Sequence, residues 1–438
     1  MTDVAGGSSA AGQRPTKVRH IVLWLTVLVY MITYMDRVVI SAAMPSIERE
    51  FQFDDITVGW ILAAFQLSYA LFQIPGGWLG DVFGPRKALS FVVIWWSAFT
   101  AATALMWNTT SMIVCRFLFG MGEAGAFPIA TRSLSRWILP SERGFAQGVT
   151  HAGSRLGGAI TPLFVVFLIG HFGWRSPFMV FAVVGILWAI FWFWYYRDTP
   201  KEHKGVNEAE VELITTSLGR KDSKVRKAVP WGQILSHPQT WLLAFMYFFY
   251  GCCIGVYLSW FPKYLVDAHN VTLTQMGLYA SLPLLAGVGG DVLGGWLSDV
   301  MAKGGNLKMA RRMVAVFGFL LAAVMMVLAC STADPMIAVP FFCGAVFGLE
   351  LTVGVSWAVA LDIGDEFAGS VSAVMNTSGN LGSTVAVAAA GYIVTAYGWN
   401  TEFYVLAGAA VIAALAFLVI DASKKVYREA PAADQPAI

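Results

Sequence analysis

The sequence predicts an all-α polytopic membrane protein with twelve transmembrane helices in two six-helix bundles. Three observations carry this prediction: an apolar composition, apolar runs of spanning length and an internal repeat. Of the 438 residues, 57% are hydrophobic and 13% are charged, whereas a soluble domain usually carries about a quarter charged residues. The net charge is +2 and the basic residues form short clusters, so the continuous basic face of a nucleic-acid-binding protein is missing. We therefore expect a lipid bilayer around the chain and no nucleic-acid partner.

Twelve predominantly apolar runs are long enough to cross about 30 Å of hydrocarbon as helices. A single long polar stretch, 197–237, divides them six and six. We expect it to be a cytosolic linker between an N-terminal bundle, 17–196, and a C-terminal bundle, 238–422, with cytosolic tails at 1–16 (disordered) and 423–438. The runs lie near 20–44, 56–80, 87–106, 110–134, 143–168, 174–196, 238–265, 272–298, 309–331, 334–361, 368–394 and 399–420.

Basic residues are distributed asymmetrically between the two sides of these spans. With the first tail inside, 23 of the 29 Lys and Arg fall on the cytosolic side and three lie outside, at Arg49, Arg175 and Lys263. Because positively charged loops resist translocation, this asymmetry predicts that both termini are cytosolic.

An internal repeat relates the two groups of six spans. Residues 76–82 read GGWLGDV and residues 294–300 read GGWLSDV, while GSRLGG and FGWR of the first half match SGNLGS and YGWN of the second. Each pair occupies the same place in its half. Because each half has an even number of spans, the copies share one orientation, which predicts two bundles related by an axis along the membrane normal, with one central cavity.

The stretch GGWLGDVFGPRK resembles the signature loop between the second and third helices of the major facilitator superfamily. The segments TYMDRVVISAAMP of the first span and RFLFGMGEAGAFP of the fourth are similar, more narrowly, to the anion:cation symporter family. Members of that family include hexuronate, galactonate, glucarate and phthalate carriers. The resemblance covers nearly the whole chain and implies the major facilitator fold.

The signature loop predicts a conformational latch at the cytosolic face. Glycines permit close helix packing there, and an acidic residue can pair with a nearby base. We assign the latch to Gly77, Asp81, Arg86 and, in the second half, Asp299.

Ionisable residues inside the spans are the candidates for function, because a charge in hydrocarbon usually faces a cavity or a partner. Arg116 and Glu123 lie seven residues apart and so share a face of the fourth span. The roles of Glu350 and Asp291 stay open at this point. The full set comprises Asp36, Arg37, Arg116, Glu123, His151, Arg155, Asp291 and Glu350.

The hydrogen-bonding and acid–base chemistry of these side chains suggests which of them bind the substrate and which carry protons. An arginine fork matches a carboxylate, so Arg37 and Arg155 are expected to bind an anionic substrate, with Arg116 joining them or pairing with Asp36. Burial disfavours a charged carboxyl group and a nearby arginine favours it, so a carboxyl group here can gain and lose a proton. Glu123 is the first candidate for proton coupling and Asp36 the second, as the resemblance also implies. Polar and aromatic residues at helical spacing complete the expected substrate site, namely Gln66, Tyr69, His151, Ser154, Tyr250, Trp357, Asn376 and Asn380.

The sequence therefore predicts a multi-pass transporter, in a bacterial inner membrane, that imports a small organic anion with protons by alternating access. A sugar acid is favoured by the amide and hydroxyl donors, and an aromatic acid is the alternative. Sodium coupling, anion exchange, uncoupled passage and a non-transporting sensor remain open, as does the reading of the charges as structural ion pairs. The scattered acids lack the motifs of hydrolases, so no enzyme activity, cofactor or metal is expected. We expect a monomer.

Overall fold

A computed structural model of the protein describes residues 14–139, 142–217, 230–364 and 367–426. Most of the two predicted tails and the basic part of the linker, 218–229, lie outside the described residues. The described residues form helices and the loops that connect them, without strands. Its helices are α1 (Val18–Phe51), α2 (Asp55–Thr103), α3 (Thr109–Glu123), α4 (Ala126–Trp137), α5 (Arg143–Phe172), α6 (Ser176–Tyr195), α7 (Glu208–Ser217), α8 (Trp231–Ser236), α9 (Pro238–His269), α10 (Leu273–Ala302), α11 (Leu307–Cys330), α12 (Pro335–Gly364), α13 (Ala368–Tyr397) and α14 (Trp399–Val419).

Eleven helical segments among the described residues are long and apolar enough to cross a membrane. The predicted third span, 87–106, is not one of them, and it forms the second part of α2. Arg86 and Lys87 at its beginning, together with Trp95 and Trp96, reduce its apolar character. It nevertheless packs as a full helix beside α3 and α6. The predicted all-α fold is confirmed.

At two places the predicted spans and the observed helices do not correspond one to one. Gly84 interrupts α2 with φ 77° and ψ 153°, a conformation essentially limited to glycine, so α2 comprises two spans joined at this residue. The fourth predicted span consists of α3 and α4, because α3 ends at Glu123 and α4 begins at Ala126. The backbone N–H of Ala124 still bonds to Gly120, and that of Ile129 bonds to Gly125, so the helical ladder stops and restarts within two residues.

The helices group into two halves, α1–α6 and α9–α14. In the first half α2 packs on α3 and α6, and α1 packs on α5; in the second α9 packs on α13 and α14, and α10 and α11 pack on α12. The repeat is visible in the backbone, because Gly173 after α5 and Gly398 after α13 both end a long helix with φ near 80° (79° and 82°).

The halves meet along α2 with α13, α5 with α10, and α1 with α9. Contacts between them cluster at the end of the protein remote from the chain termini. There Trp60 Nε1 donates to the Tyr392 hydroxyl oxygen at 3.0 Å. Lys263 on α9 lies 2.6 Å from Glu48 on α1 and 3.2 Å from Asp55 on α2, and also 2.6 Å from Asp267 on its own helix. This end of the protein is therefore closed by an ion cluster that joins both halves.

The described part of the linker packs against the beginning of α1. Glu210 on α7 is fully buried and accepts hydrogen bonds from the backbone N–H groups of Val18 and Arg19, both at 3.3 Å, and from the Thr16 hydroxyl. A carboxylate at a helix N-terminus satisfies free N–H groups and interacts favourably with the helix dipole. The linker helix thus caps the first transmembrane helix.

Candidate functional site

Arg37 and Glu123 form an ion pair inside the first half. The Arg37 Nε donates to Glu123 Oε1, which joins α1 to the last residue of α3. The Glu123 side chain is completely buried, whereas 17% of the Arg37 side chain remains accessible. The guanidinium carbon lies 4.4 Å from the ring centre of Tyr69, 5.2 Å from that of Tyr34 and 5.3 Å from that of Phe127. Aromatic faces at these distances attract a cation, so they hold Arg37 in place.

Arg116 and Asp36 are buried behind this pair. The Arg116 guanidinium lies over the rings of Phe119 and Phe65, at 4.6 Å and 5.0 Å. Asp36 instead accepts hydrogen bonds from Trp96 Nε1 at 3.0 Å and Thr100 Oγ1 at 3.4 Å. The two residues do not form a direct ion pair, because no basic nitrogen among the described residues lies within 4 Å of the Asp36 carboxylate.

A second buried pair joins the two halves. Arg155 Nη2 on α5 lies 2.6 Å from Glu350 Oε2 on α12, with 10% and 2% of the two side chains accessible. The Tyr250 hydroxyl donates to Glu350 Oε1 at 3.4 Å, and Arg155 Nη1 donates to the Tyr34 hydroxyl oxygen at 3.4 Å. The sequence leaves Glu350 without a role, and the structure gives it a partner in the opposite half.

Both pairs leave polar atoms unsatisfied. Within the described part of the chain, the buried atoms without a hydrogen-bond partner include Arg37 Nη2, Arg155 Nε, Arg116 Nε and Glu123 Oε2. A buried N–H group without an acceptor costs about 1–3 kcal/mol. An anion that entered beside these guanidinium groups would supply the missing acceptors.

The remaining predicted site residues divide between the two halves. On the side of the first half, Gln66 is half-buried, His151 is exposed with its ring edge toward Tyr30, and the Ser154 hydroxyl donates to the His151 carbonyl of its own helix at 2.7 Å. In the second half, Asn380 Nδ2 donates to the Asn376 carbonyl at 3.0 Å.

Two polar contacts extend the site toward the second half. Asn376 Nδ2 donates to Gln73 Oε1 at 3.1 Å, which links α13 to α2. Trp357 Nε1 donates to the Tyr247 hydroxyl oxygen at 3.2 Å, and the Tyr247 ring stacks on Tyr250 with centres 4.9 Å apart.

Among the predicted latch residues, Gly77, Arg86 and Asp299 have described contacts, and these lie inside their own halves. Gly77 of α2 packs against α4, where an added Cβ would lie 3.3 Å from Pro128 Cβ. The Arg86 backbone N–H donates to Asp198 Oδ1 at 3.2 Å. The side chain of Asp81 lies outside the described residues.

The second half repeats this arrangement with different partners. Asp299 accepts from Arg311 Nη1 at 2.7 Å, and Arg311 Nε donates to Asp362 at 3.0 Å. In the first half Arg136 pairs with Asp198 at 3.1 Å. The described contacts of Arg86, Asp299 and Arg311 therefore lie within single halves.

Sequence reasoning overlooked several residues of the site. Tyr34 contacts both Arg37 and Arg155, and its place three residues before Arg37 on one helical face is a signal that could have found it. Asp198 directly follows the sixth span. Lys263 was counted only as an external charge. Its spacing of four residues from Asp267 could have indicated that pair, but nothing in its local sequence indicates the partners on α1 and α2.

At each paired arginine, the glutamate could be replaced by the anionic group of a ligand without leaving an uncompensated charge. Arg37 and Arg155 are each neutralised by a glutamate in this conformation, and each could instead bind an anionic group if its glutamate took up a proton. Removing only one partner of a buried pair costs about 3–5 kcal/mol. A change that affected only one partner of either pair would therefore leave an uncompensated buried charge.

Comparison with known sequences gives a family. The Major Facilitator Superfamily profile matches residues 26–386 and, in a second match, 304–437. The chain is 39% identical over 409 residues to the probable sulfoacetate transporter SauU of Cupriavidus necator, covering 92% of this chain and 94% of that protein. It is 33% identical over 421 residues to the probable galactarate/D-glucarate transporter GudP of Bacillus subtilis, covering 92% of each.

Further comparisons agree in length and fold. A hexuronate transporter of Bacillus subtilis is 31% identical over 393 residues, which are 89% of this chain and 91% of that one. Among solved structures, a bacterial homolog of the human lysosomal transporter Spinster, in an inward-facing and unoccupied conformation, is similar with a TM-score of 0.76 at 19% identity. The similarity covers 94% of this chain and 98% of that one.

Proposed function

The chain belongs to the major facilitator superfamily and to its anion transporters, which are carriers and not enzymes, and we propose that it takes up a small organic anion together with protons. The observation that carries the proposal is the buried pair of Arg37 and Glu123, with unsatisfied atoms on both partners. Arg37 binds the anionic group of the substrate, and Glu123 carries the proton.

Charge balance explains why the two movements are coupled. With the pair intact, the empty carrier holds no uncompensated charge at this position. An anion bound without a proton leaves an extra negative charge, and a proton bound without an anion leaves Arg37 unpaired. Because an unpaired buried charge costs about 3–5 kcal/mol, this pair penalises the conformational change only in a carrier that holds the anion or the proton alone. That selection is what a symporter requires.

The conformational change is alternating access between the two halves. The described contacts close the end of the protein that carries Lys263, as expected for a carrier open toward its termini. We propose that the termini are cytosolic, that the membrane is a bacterial inner membrane, that 17–196 and 238–422 are the moving bundles, and that the latch residues limit their movement. The carrier works as a monomer.

Polar residues around the pairs favour a hydroxylated substrate. Gln66, Asn376 and Asn380 offer amide donors and acceptors, as hydroxyl groups of a sugar acid require. Galactarate or D-glucarate and sulfoacetate, named for two of the relatives, are therefore the first substrates to test.

Purified protein in liposomes tests the proposal. Radiolabelled sulfoacetate and D-glucarate should accumulate above their external concentration when the outside is acidic, and the accumulation should vanish when a protonophore removes the gradient. An imposed sodium gradient should have no effect. Uptake that ignores the pH gradient, or that needs an anion inside the liposomes, would contradict proton symport in favour of passive passage or exchange.

A further inference from the structure

We propose that the substrate carries two anionic groups, one for Arg37 and one for Arg155, and that a second proton travels on Glu350. This inference rests on the proposed function and concerns the same site. It begins from the fact that the central region contains two similar arginine–glutamate pairs, whereas a substrate with one anionic group needs only one.

The second pair has the chemical features of the first. Arg155 and Glu350 are both buried, and Arg155 Nε lacks a hydrogen-bond partner among the described residues, as Arg37 Nη2 does. The titratable groups around Glu350 are Arg155 on α5, Tyr250 on α9 and Asp291 on α10. Arg155 is the one among them that carries a positive charge, so displacement of the guanidinium group would leave the carboxylate facing a tyrosine and another acid.

The second pair also differs from the first because it has to open when the two halves move apart. Arg37 and Glu123 belong to one half and can move together, whereas Arg155 and Glu350 belong to opposite halves. Alternating access changes the distances between halves, so this pair must lengthen or rearrange in each cycle. If the ion pair opened while neither side chain had another partner, two uncompensated charges would be left buried. An anionic group on Arg155 and a proton on Glu350 remove both charges at once.

Tyr34 shows that one small molecule can reach both guanidinium groups. The Arg37 and Arg155 guanidinium carbons lie 5.2 Å and 5.6 Å from the centre of its ring, so they are separated by no more than the sum of these distances, 10.8 Å. Hydrogen bonds of about 2.8 Å put a bound carboxylate carbon about 4 Å from each guanidinium carbon. Two anionic groups on a spacer of one or two carbon atoms can therefore contact both arginines across Tyr34.

Charge counting gives the stoichiometry. Two anionic groups replace two glutamates, and both glutamates take up protons, so a doubly charged anion enters with two protons and the loaded site is neutral. A substrate with one anionic group leaves the Arg155–Glu350 pair closed and holds the halves together. We therefore expect weaker and slower transport of such a substrate.

Three pairs of anions test the proposal, because in each pair a CH₂OH group replaces one carboxylate: sulfoacetate and isethionate, malonate and 3-hydroxypropionate, and D-glucarate and D-gluconate. Proton-driven uptake into liposomes should favour the doubly charged member of at least one pair by tenfold or more, as expected for one lost charge-assisted contact. Proton-driven uptake of both members at equal efficiency in every pair overturns the two-anion site and leaves the proposed function standing. If no anion shows proton-driven uptake, the proposed function fails and this inference fails with it.

Variants of the second pair give an independent readout. Glu350→Gln leaves Arg155 unpaired in the empty carrier, so it should lose accumulation of the dianion driven by a pH gradient, as expected for Glu123→Gln, while dianion exchange persists. The double variant Arg155→Gln, Glu350→Gln keeps the site neutral; it should still transport the singly charged partner and lose the preference for the dianion. Glu402→Gln is the matched control, because Glu402 is a buried carboxylic acid at the beginning of α14, away from both pairs. Undiminished accumulation of the dianion driven by a pH gradient in Glu350→Gln overturns the proposal.

Discussion

Lys263 Nζ of α9 lies 2.6 Å from Glu48 Oε2 of α1, so an ion pair connects the second half of the protein to the first at its closed end. Only 3% of the Lys263 side chain is accessible, and Asp55 and Asp267 lie within 3.2 Å of the same nitrogen. This cluster holds the two halves together at the end remote from the termini.

Replacing Lys263 with Met should open that end. The variant leaves three carboxylates close together without their cation, and their repulsion separates the halves. In a background without the five native cysteines, a cysteine at Ala388, which packs against Gly59 at this interface, should react with an impermeant maleimide several-fold faster. Lys308→Met is the control, because Lys308 pairs with Asp421 within the second half. Equal labelling rates in both variants would argue against a gate at Lys263.

Glu123→Gln should abolish accumulation driven by a pH gradient and retain exchange. Glutamine cannot take up the coupled proton, yet it mimics the protonated glutamate, so the loaded carrier still changes conformation. Concentrative uptake in liposomes should fall at least tenfold, while counterflow of labelled against unlabelled substrate continues. The control is again Glu402→Gln. Uphill uptake that survives Glu123→Gln intact would remove this residue from proton coupling.

Gly84→Ala should destabilise the fold. The backbone at Gly84 has φ 77°, and an added Cβ would lie 2.7 Å from Asp198 Oδ2. Strain of this kind costs about 1–3 kcal/mol, so the melting temperature in detergent should fall by several degrees. Gly408→Ala in α14 is the matched control: nothing lies within 4 Å of its added Cβ, and alanine favours a helix by about 1 kcal/mol. Equal melting temperatures for the two variants would refute the constraint at Gly84.

Glu210→Ala should free the linker helix from α1. The buried Glu210 carboxylate accepts from two backbone N–H groups of α1, and its loss leaves them without an acceptor at a cost of about 1–3 kcal/mol. Limited proteolysis should therefore cut the linker faster in this variant. Glu212→Ala, on the exposed face of the same helix, should leave the rate unchanged. Comparable cleavage of both variants would show that Glu210 does not anchor α7.

Much of the fold could be predicted because the bilayer imposes length and polarity on every span. Apolar runs located the helices within a few residues in most places, and the matching motifs FGWR and YGWN predicted a repeat that appears as two equivalent glycine helix ends. The third span was the exception, because its charged beginning and its tryptophans make it less apolar than the other spans. It is held by packing against its neighbours.

The candidate site could be predicted only as a set of residues. Spacing indicated that Arg116 and Glu123 share a face, but pairing depends on which helices become neighbours. Glu123 therefore contacts Arg37 of α1, and Arg116 lies against aromatic rings instead. The pairing of Arg155 with Glu350 crosses the two halves, and no periodicity within one helix contains that information.

Because α3 ends at Glu123, this residue lies at the joint between α3 and α4 as well as in the candidate site. It is the last residue of α3, and the segment beyond it contributes Gly125, which packs against Gly76 of α2. Since the ladder of backbone hydrogen bonds is already interrupted there, α4 can tilt about this joint without breaking further bonds. If Glu123 takes up a proton, as we propose, the change at the end of α3 can alter the angle between α3 and α4.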